Sequence, residues 1–485
     1  MNTSGDSTMA TGTTEALAEA GAQSDAPQPN AVTNRRQPFP KGFLDTISTG
    51  WAERPETLPP QRVQAPFAAA RRDVVSAAFP GKRLVVPAGE VKVRSNDTDY
   101  PFRAHSAFAH LSGWGSDSEP GAVLVFDPND AGGHDVTLYF RERADRTTTE
   151  FYGDASIGEF WIGPRPALTG VAADLGVATA HIDGFEERED DLVVDEDAGL
   201  TRFVSELRLT KDDYEIAQMR SAVEATALGF DDIVADLPRI IAHPRGERVV
   251  EGVFHQRART DGNGEGYDTI AASGPHACYL HWTRNDGPVV AGDLILVDAG
   301  VEVDSLYTAD ITRTIPVSGT FTATQRLVYE TVREAADAAF AAAQPGVRFR
   351  AVHDAAMAVI AARTAEWGLL PVTAEEALDA DLGGQHRRYM VHGTSHHLGI
   401  DVHDCAQARR EMYYDGVLEA GMVFTIEPGL YFQIDDLTVP EEFRGIGVRI
   451  EDDILMTVDG PVSLSADIPR TADEVEAWVS RLRSE

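Results

Sequence analysis

Residues 292–315, GDLILVDAGVEVDSLYTADITRTI, limit the possible folds of this chain more than any other stretch. Residues 294–297 are a short apolar run rich in branched side chains, which predicts a buried strand. That strand ends at Asp298, an acid whose burial is costly unless something neutralises it. A second run, residues 307–315, follows a polar turn and carries Asp310.

The two runs predict a β-hairpin centred on Asp304. Such a hairpin would make Asp298 and Asp310 cross-strand neighbours, with Cβ atoms about 4.5–5.5 Å apart. Like charges at this separation repel each other. Two carboxylates that face each other in this way therefore predict a cation between them.

The net charge of −36 argues against nucleic acid and anionic membranes as partners, because a phosphate-binding surface needs a basic footprint. The length of 485 residues is enough for two or three domains. The two cysteines, Cys278 and Cys405, provide no disulfide framework, and no apolar run approaches the ~18 residues of a membrane span. We therefore expect a soluble, cytoplasmic protein that binds neither nucleic acid nor membrane.

Changes in composition divide the chain into three predicted regions. Residues 1–60 are predicted to be a disordered tail and an arm, because residues 1–35 hold scarcely any large apolar side chain. Aromatic side chains are scattered among the prolines of the arm: Phe39, Phe43 and Trp51. Residues 61–206 alternate helical and strand patterns, which predicts a small α/β domain without a cluster of metal-ligating residues. Residues 207–485 form a second, larger predicted domain.

Helix pairs and groups of strands alternate in the larger domain. Thr210 and Asp213 predict a variant of the capping box at the start of its first helix. The predicted helices span residues 211–235, 246–260, 323–343 and 349–367, and the strands after them span 421–427 and 445–458. A helix pair followed by strands occurs twice, which suggests two similar halves.

Histidines concentrate in the stretch VHGTSHHLGIDVHD, residues 391–404. Five of the fourteen histidines of the chain lie between residues 386 and 403: His386, His392, His396, His397 and His403. A single histidine is more often structural than a ligand, but Gly393 and Gly399 predict a loop in which this density indicates a site.

Two further stretches place acids at strand ends. In FTIEPGLY, residues 424–431, a predicted strand ends at Glu427. In GIGVRIEDDILM, residues 445–456, alternation places Arg449 and Glu451 on one face, where a plain salt bridge is the simpler interpretation. Taken together, four carboxylates and a histidine cluster suit Mn²⁺, Zn²⁺ or Co²⁺. Two such ions about 3.5–4 Å apart can activate a water molecule and clamp a tetrahedral intermediate.

These motifs resemble the aminopeptidase P and prolidase family of pita-bread metallopeptidases. The resemblance rests on DAG…DITRT, HGxSHxxGxDVHD, EPGLY and GIGxRIEDD and covers about residues 205–460. Residues 96–114 also resemble the N-terminal domain of aminopeptidase P. The resemblance implies an α+β protein in which a pita-bread catalytic domain follows a smaller α/β domain. It also implies a homo-oligomer, either a dimer or a tetramer.

The resemblance implies a site with two metal ions, usually Mn²⁺, with Zn²⁺ or Co²⁺ as alternatives. The implied ligands are Asp298, Asp310, His396, Glu427 and Glu451. His397 lies beside the ligand position of the motif and is not expected to bind metal. The residues implied to act on the substrate are His281, His392 and His403, with Glu427 as proton carrier and Arg449 holding a carboxylate ligand. The two aspartates are twelve residues apart, one more than the commoner family spacing, so the extra residue is expected in the turn or a bulge.

The implied activity is removal of the N-terminal residue from peptides with proline in the second position. The nearest alternative is a prolidase, which cleaves only Xaa-Pro dipeptides and needs a donor for the proline carboxylate; Arg165 and Arg409 are the candidates. Methionine aminopeptidase lacks such an N-terminal domain. A catalytically inactive pita-bread module that binds basic peptides is an alternative of another class, and creatinase-like, metal-free hydrolysis is a further one. Retention of the five ligand residues disfavours both.

Overall fold

A computed structural model describes residues 38–54, 57–96 and 98–483. The described residues divide into two compact units: the smaller takes its residues from 1–52, 91–101 and 144–163, and the larger from 53–90, 102–143 and 164–485. The predicted disordered tail, residues 1–35, lies outside the described residues. The larger unit includes residues on both sides of position 206, so the predicted domain bounds stay a prediction.

Helices and strands are mixed throughout the described chain. The α-helices are α1 Lys41–Ile47, α2 Ala65–Ala78, α3 Ser106–Ser112, α4 Thr149–Gly153, α5 Glu159–Ile162, α6 Leu168–Leu175, α7 Ala198–Leu207, α8 Asp213–Ala235, α9 Leu237–Ala242, α10 Gly246–Asp261, α11 Ala323–Ala342, α12 Arg350–Glu366, α13 Ala374–Ala377 and α14 Ala472–Leu482. Within the described ranges, no helix has the length and hydrophobicity needed to cross a membrane. The cytoplasmic location stays a prediction.

Strands pair into several small sheets. They are β1 Leu84–Pro87, β2 Val93–Ser95, β3 Thr98–Asp99, β4 Val123–Pro128, β5 His134–Phe140, β6 Ala178–His181, β7 Leu192–Val193, β8 Gly264–Glu265, β9 Ile270–Ser273, β10 Leu294–Ala299, β11 Val301–Glu302, β12 Ile311–Pro316, β13 Val423–Ile426, β14 Gly429–Tyr431, β15 Gly447–Arg449, β16 Asp452–Thr457 and β17 Gly460–Ser463. The predicted α+β class is confirmed.

In the smaller unit, aromatic side chains form a small core. Phe39 and Phe43 stack with ring centroids 4.8 Å apart, and both meet the ring of Tyr152 edge-on. Trp51 meets Phe151 with centroids 5.6 Å apart. The aromatic residues of the predicted arm therefore pack against α4 of the same chain.

In the larger unit, residues before position 206 form a five-stranded sheet with the order β6–β5–β4–β1–β7. The central strands β1 and β4 pair antiparallel, with Leu84 opposite Phe126. Leu84, Val86, Leu124 and Phe126 are buried, so the sheet has a continuous apolar face. This arrangement agrees with the small α/β domain that the alternating patterns predict.

The remaining sheets of the larger unit lie after position 206. Two three-stranded sheets have the orders β12–β10–β9 and β13–β16–β17, and two-stranded pairs join β11 to β8 and β14 to β15. The predicted strand over 445–458 is interrupted at Ile450 and Glu451, because β15 pairs with β14 and β16 pairs with β13. The helix pairs α8/α10 and α11/α12 precede these two sets of strands in the predicted order.

The capping box of α8 differs from the predicted one. The Asp212 carboxylate accepts a hydrogen bond from the Glu215 amide, and the Glu215 carboxylate accepts one from the Asp212 amide. The box forms at Asp212 because the reciprocal bond needs the longer glutamate or glutamine side chain three residues after the N-cap, and Asp213 is too short to return this bond to Thr210. The predicted N-cap, Thr210, was therefore wrong, because the observed N-cap lies two residues later.

The register of the β10–β12 hairpin also differs from the prediction. Asp298 lies opposite Thr312, and Asp310 precedes the first residue of β12. Glu302 and Thr308 also pair with each other, so the hairpin continues in this register to a turn centred on Ser305 instead of Asp304, while β11 pairs with β8 as well. A Cβ atom at Gly300 would lie 1.7 Å from the Ala309 carbonyl oxygen, so glycine allows the close return of the chain. A register shift of two residues keeps side chains on the same face, and both aspartates still face one cavity.

Candidate metal centre

A cavity of about 570 Å³ in the larger unit collects all the residues that the sequence predicts for the site. Its predicted ligands and substrate-side residues are Asp298, Asp310, His396, Glu427, Glu451, His281, His392, His403 and Arg449. Apolar side chains of Ile270, Leu280 and Val402 line part of the same cavity. The ligand and substrate-side roles of these residues stay predictions.

Asp298 and Asp310 enter the cavity from the β10–β12 hairpin. Every residue of β10 is buried, so Asp298 is shielded from solvent. The Tyr267 hydroxyl lies 2.7 Å from Asp298 Oδ1 and 2.5 Å from Asp310 Oδ1. A hydroxyl has one proton, so it can donate to only one of these carboxylates at a time.

Backbone hydrogen bonds hold the histidine-bearing loop beside β13. The Thr425 amide donates to the His396 carbonyl oxygen at 2.9 Å, and the Glu427 amide donates to the Thr394 carbonyl oxygen at 2.9 Å. These bonds bring the His396 ring between two acids, with Nε2 at 3.2 Å from Asp310 Oδ2 and 3.6 Å from Glu427 Oε1. Loop and strand thus position one imidazole and one carboxylate together.

Glu451 enters from the break between β15 and β16. The Thr312 hydroxyl donates to Glu451 Oε2 at 2.7 Å, and the Glu451 amide donates to the Thr312 carbonyl oxygen at 3.1 Å. One ligand atom from each of Asp310, His396 and Glu451 lies within 4.8 Å of the others. Three side chains that are separated by up to 141 residues thus converge on one point.

Arg449 is the one arginine that lines this cavity in the described part of the chain. Its guanidinium donates to the carboxylate of Asp298, to the Tyr431 hydroxyl at 3.2 Å and to the Thr312 hydroxyl at 3.1 Å. These bonds orient Asp298, and the role of Arg449 in holding a carboxylate metal ligand stays a prediction.

The carboxylates carry more negative charge than the neighbouring cations balance. Burial, with repulsion from the neighbouring acids, raises the pKa of Glu451 well above its ordinary value. Burial also raises the pKa of Asp298 and raises the pKa of Glu427 to about 7. Burial opposes the charged form of His396, but the bond to Asp310 and the charge of Glu427 raise its pKa to about 9. The cluster therefore favours the uptake of additional positive charge.

His397 points away from the cluster. Its ring lies 4.6 Å from that of Phe349 and 4.7 Å from that of Tyr413, measured between centroids. Neither ring nitrogen has a hydrogen-bond partner among the described residues. Burial, with the charge of Lys211, lowers the pKa of His397 to about 3, so this side chain packs as a neutral aromatic residue.

The predicted substrate-side histidines lie around the cluster. His392 Nε2 is 2.8 Å from the Tyr431 hydroxyl, and burial and the charge of Arg449 lower the His392 pKa to about 3. The His403 ring meets the His396 ring edge-on with centroids 4.4 Å apart, and burial lowers the His403 pKa. His281 is exposed at the cavity, on the loop between β9 and β10.

Comparison with known proteins agrees with this geometry. Residues 217–458 match the model of metallopeptidase family M24. The chain is 50% identical over 458 residues to Xaa-Pro aminopeptidase 2 of Streptomyces coelicolor, covering 90% of this chain and 95% of that protein. The chain belongs to metallopeptidase family M24.

Three further likenesses extend over this M24 metallopeptidase. Residues 67–198 match the model of the aminopeptidase P N-terminal domain. The chain is 47% identical over 463 residues to Xaa-Pro aminopeptidase 1 of Streptomyces coelicolor, covering 91% of this chain and 92% of that protein. The structure of Pseudomonas aeruginosa aminopeptidase PepP aligns with a TM-score of 0.75 at 29% identity, covering 87% of this chain and all of that chain. The predicted resemblance and the predicted fold, a pita-bread domain after a smaller N-terminal domain, are confirmed.

The donors in the cavity of this M24 metallopeptidase fit metal ions. Carboxylate oxygens and an imidazole are donors for hard and borderline divalent cations. Burial and mutual repulsion raise the pKa of Glu451 and Glu427, and bound cations would offset both effects. The M24 fold and the candidate ligand set thus agree on a metal site.

Sequence reasoning missed several residues that contact the predicted ligands. They are Tyr267, Thr312, Tyr431 and Asp453. Asp453 Oδ2 accepts a hydrogen bond from the Asp310 amide at 3.2 Å, and burial raises the Asp453 pKa well above its ordinary value. The YDTIAASG, DITRT, EPGLY and IEDD stretches contain these four residues, but only contacts between distant segments distinguish them from ordinary strand residues.

Proposed function

We propose that this chain is an Xaa-Pro aminopeptidase, which hydrolyses the bond between the first residue of a peptide and a proline in the second position. The observation that supports this activity is the alignment of both domains, over about nine tenths of the chain, with relatives that bear this name. The substrate is therefore a peptide with a free N-terminal residue followed by proline.

The metal site is proposed to hold two Mn²⁺ ions, with Zn²⁺ or Co²⁺ as alternatives. The proposed ligands are Asp298, Asp310, His396, Glu427 and Glu451. When bound, these ions would polarise the scissile carbonyl group and make water more acidic. Support comes from the convergence of oxygen and nitrogen donors in a cavity whose acids have raised pKa values.

Glu427 is proposed as the proton carrier. Its carboxyl group lies 3.5 Å from His392 Nδ1 and 3.6 Å from His396 Nε2, at the cavity surface. A carboxylate in this position can accept a proton from water and deliver it to the proline nitrogen as the peptide bond breaks.

The histidines His281, His392 and His403 are proposed to hold the substrate. A neutral imidazole can donate a hydrogen bond to the carbonyl oxygen as negative charge develops on it. The low pKa of His392 keeps that ring neutral at physiological pH. Arg449 is proposed to hold Asp298 in the orientation that metal binding requires.

An aminopeptidase is favoured over a prolidase because neither predicted carboxylate donor lines the cavity. Arg165 is buried elsewhere and lines a different cavity, together with Arg62 and Asp174. Arg409 donates to both carboxylate oxygens of Glu206. A prolidase gains from recognising the proline carboxylate, and an unpaired charge there would cost several kcal/mol.

The test is hydrolysis of matched peptides by the Mn²⁺-loaded protein. Xaa-Pro-Yaa tripeptides should be cleaved at least as efficiently as Xaa-Pro dipeptides, and Xaa-Ala-Yaa tripeptides should be poor substrates. Cleavage confined to dipeptides would identify a prolidase. Binding of the peptides without any cleavage would identify an inactive binding module.

A dimer or tetramer is proposed for the assembled enzyme. Support comes from Phe160, Trp161 and Ile162 in the smaller unit, three consecutive apolar residues that are each more than half exposed. Such a run is typical of a protein interface. Light scattering after size-exclusion chromatography would measure the mass, and a monomer would contradict the proposal.

A further inference from the structure

His281 lies on a loop that α10 holds from one side. The loop joins β9 to β10, residues 274–293, and His281 lies at the cavity while its neighbours Thr283 and Arg284 are exposed. An exposed loop of this kind needs specific contacts to keep one conformation, because its backbone has few partners of its own.

Glu247 of α10 provides four of these contacts with one carboxylate. Its Oε1 accepts from the Ser273 amide at 2.9 Å and lies 2.7 Å from His276 Nδ1. Its Oε2 accepts from the Trp282 indole at 3.0 Å and from the Gly287 amide at 2.7 Å. Each oxygen thus has two partners, and all four partners lie in or next to the loop.

The Glu247 side chain is 0% exposed, so no solvent competes for these bonds. Among the described residues, its hydrogen-bond partners include no lysine or arginine. A buried acid without such a cation depends on the number of its hydrogen bonds. The conformation of the loop and the burial of Glu247 therefore stabilise each other.

The loop residues also fit closely around this carboxylate. The His276 and Trp282 rings stack with centroids 3.9 Å apart. A Cβ atom at Gly287 would lie 2.8 Å from Glu247 Oε2, so glycine permits the short amide contact. Trp282 is the residue next to His281, and its bond to Glu247 constrains the backbone that carries the histidine.

A second contact holds the far side of the loop. Asn285, with a φ of 45°, is buried, and its Oδ1 accepts from the Ala271 amide at 2.9 Å. Its Nδ2 donates to the Thr269 carbonyl oxygen at 2.8 Å and to Glu251 Oε2 at 3.0 Å. The segment from Tyr279 to Arg284, which carries His281, is thus held at Trp282 by Glu247 and at its end by Asn285.

We propose that Glu247 is a positioning residue for the hydrolysis of Xaa-Pro peptides, which acts by holding the loop so that His281 reaches the substrate. This inference rests on the proposed function of His281. Glu247 contacts no substrate in this scheme. Its effect on turnover passes through Trp282 and His281.

The test combines kinetics with hydrogen exchange on the full-length, Mn²⁺-loaded protein. Glu247→Gln replaces one acceptor oxygen by an amide NH2 group, which is itself a donor and would face the N–H donors of the loop. We expect faster deuterium uptake in residues 274–287 and a loss of about tenfold in kcat/KM for an Xaa-Pro-Yaa peptide. In a His281→Ala background, the same change should reduce kcat/KM less than twofold.

Glu215→Gln is the matched control. Glu215 is a buried glutamate of α8 that accepts from the Tyr307 hydroxyl at 2.7 Å and does not contact the loop. Any loss of kcat/KM that Glu215→Gln causes should be the same in the wild-type and His281→Ala backgrounds. Deuterium uptake in residues 274–287 should not change. Trp282→Phe keeps the stacked ring but removes one donor, so it should show a weaker form of the Glu247→Gln effects.

Equal losses from Glu247→Gln in both backgrounds would overturn the proposal, as would unchanged deuterium uptake in the loop. If Glu247→Gln does not fold, the same criteria apply to Trp282→Phe. Full activity of His281→Ala would also overturn it. A wild-type protein that cleaves no Xaa-Pro peptide would contradict the proposed function, whereas deuterium uptake would still measure whether Glu247 holds the loop.

Discussion

Two buried clusters of charged residues in the larger unit differ in how their charges balance. In the first, Arg208 Nε donates to Asp404 Oδ1 at 2.9 Å and Lys211 Nζ donates to Asp404 Oδ2 at 3.2 Å. In the second, Asp298, Asp310, Glu427 and Glu451 share Arg449 and His396. Asp401 also lies 3.5 Å from Arg208, so cations and carboxylates balance in the first cluster, whereas the second has more carboxylates than cations.

The pKa values of the carboxyl groups separate the two clusters. Burial disfavours the ionised form of Asp404, but Lys211 and Arg208 lower its pKa well below the ordinary value. Burial raises the pKa of Glu451 well above the ordinary value, and repulsion from Asp310 adds to it. Protein cations balance the carboxylates of the first cluster, whereas they do not balance those of the second, where bound metal ions are proposed. This contrast distinguishes a structural ion cluster from a metal site.

The largest expected effect comes from removing a carboxylate of the second cluster. Asp310→Ala should lower kcat/KM by at least about a thousandfold, because metal ions stabilise the transition state by several kcal/mol. Elemental analysis should show fewer than two metal ions per chain, with an unchanged circular dichroism spectrum. Near wild-type turnover with two bound ions would exclude Asp310 as a ligand and remove the basis of the comparison.

The equivalent change in the first cluster should affect stability instead of metal binding. Asp404→Asn leaves Lys211 and Arg208 without their carboxylate partner, which should lower the free energy of unfolding by about 3 kcal/mol. Urea denaturation would measure this loss with and without metal. Asp435→Asn, at an exposed acid, is the control and should change the free energy of unfolding by less than about 0.5 kcal/mol. An unchanged stability of Asp404→Asn would show that the two clusters do not differ as described.

Replacing Glu451 is expected to change the free energy of unfolding in opposite directions without and with metal. Glu451→Gln removes a repelling buried carboxylate, so after chelation this variant should be more stable than the wild type by about 1 kcal/mol. With Mn²⁺ present, the order should reverse, because metal that binds only the folded protein stabilises the wild type. Thermal unfolding with chelator and with added Mn²⁺ would show both orders. A variant less stable under both conditions would indicate that Glu451 is satisfied without metal.

The smallest effect is expected at His397, the residue next to the predicted ligand His396. His397→Leu should retain both metal ions and change the free energy of unfolding by less than about 1 kcal/mol, since neither ring nitrogen has a partner among the described residues. His396→Ala should lose metal. Elemental analysis of the two variants would measure the bound metal. Loss of metal from His397→Leu and retention by His396→Ala would identify His397 as the ligand.

Local patterns were sufficient to predict the long helices after position 206, the family and the members of the second cluster. The α8 helix was predicted over 211–235 and spans Asp213–Ala235, because apolar spacing along one segment does not depend on the rest of the chain. The apolar run that ends at Asp298 predicted β10 for the same reason. The DITRT, EPGLY and RIEDD motifs carry the acids themselves, so the sequence determined which residues are available for the metal site.

Only the tertiary structure decided the contacts between these segments. The hairpin places Asp298 opposite Thr312 because its turn is centred on Ser305, and a shift of two residues leaves the apolar pattern of each strand unchanged. Glu247 meets Gly287, and Arg208 and Lys211 meet Asp404, across separations of 40, 196 and 193 residues. Hydrophobic periodicity describes each segment by itself, whereas register and charge balance depend on which distant segments pack together. An isolated Glu247 or Lys211 therefore looks like an ordinary surface residue in the sequence, although both are fully buried in the fold.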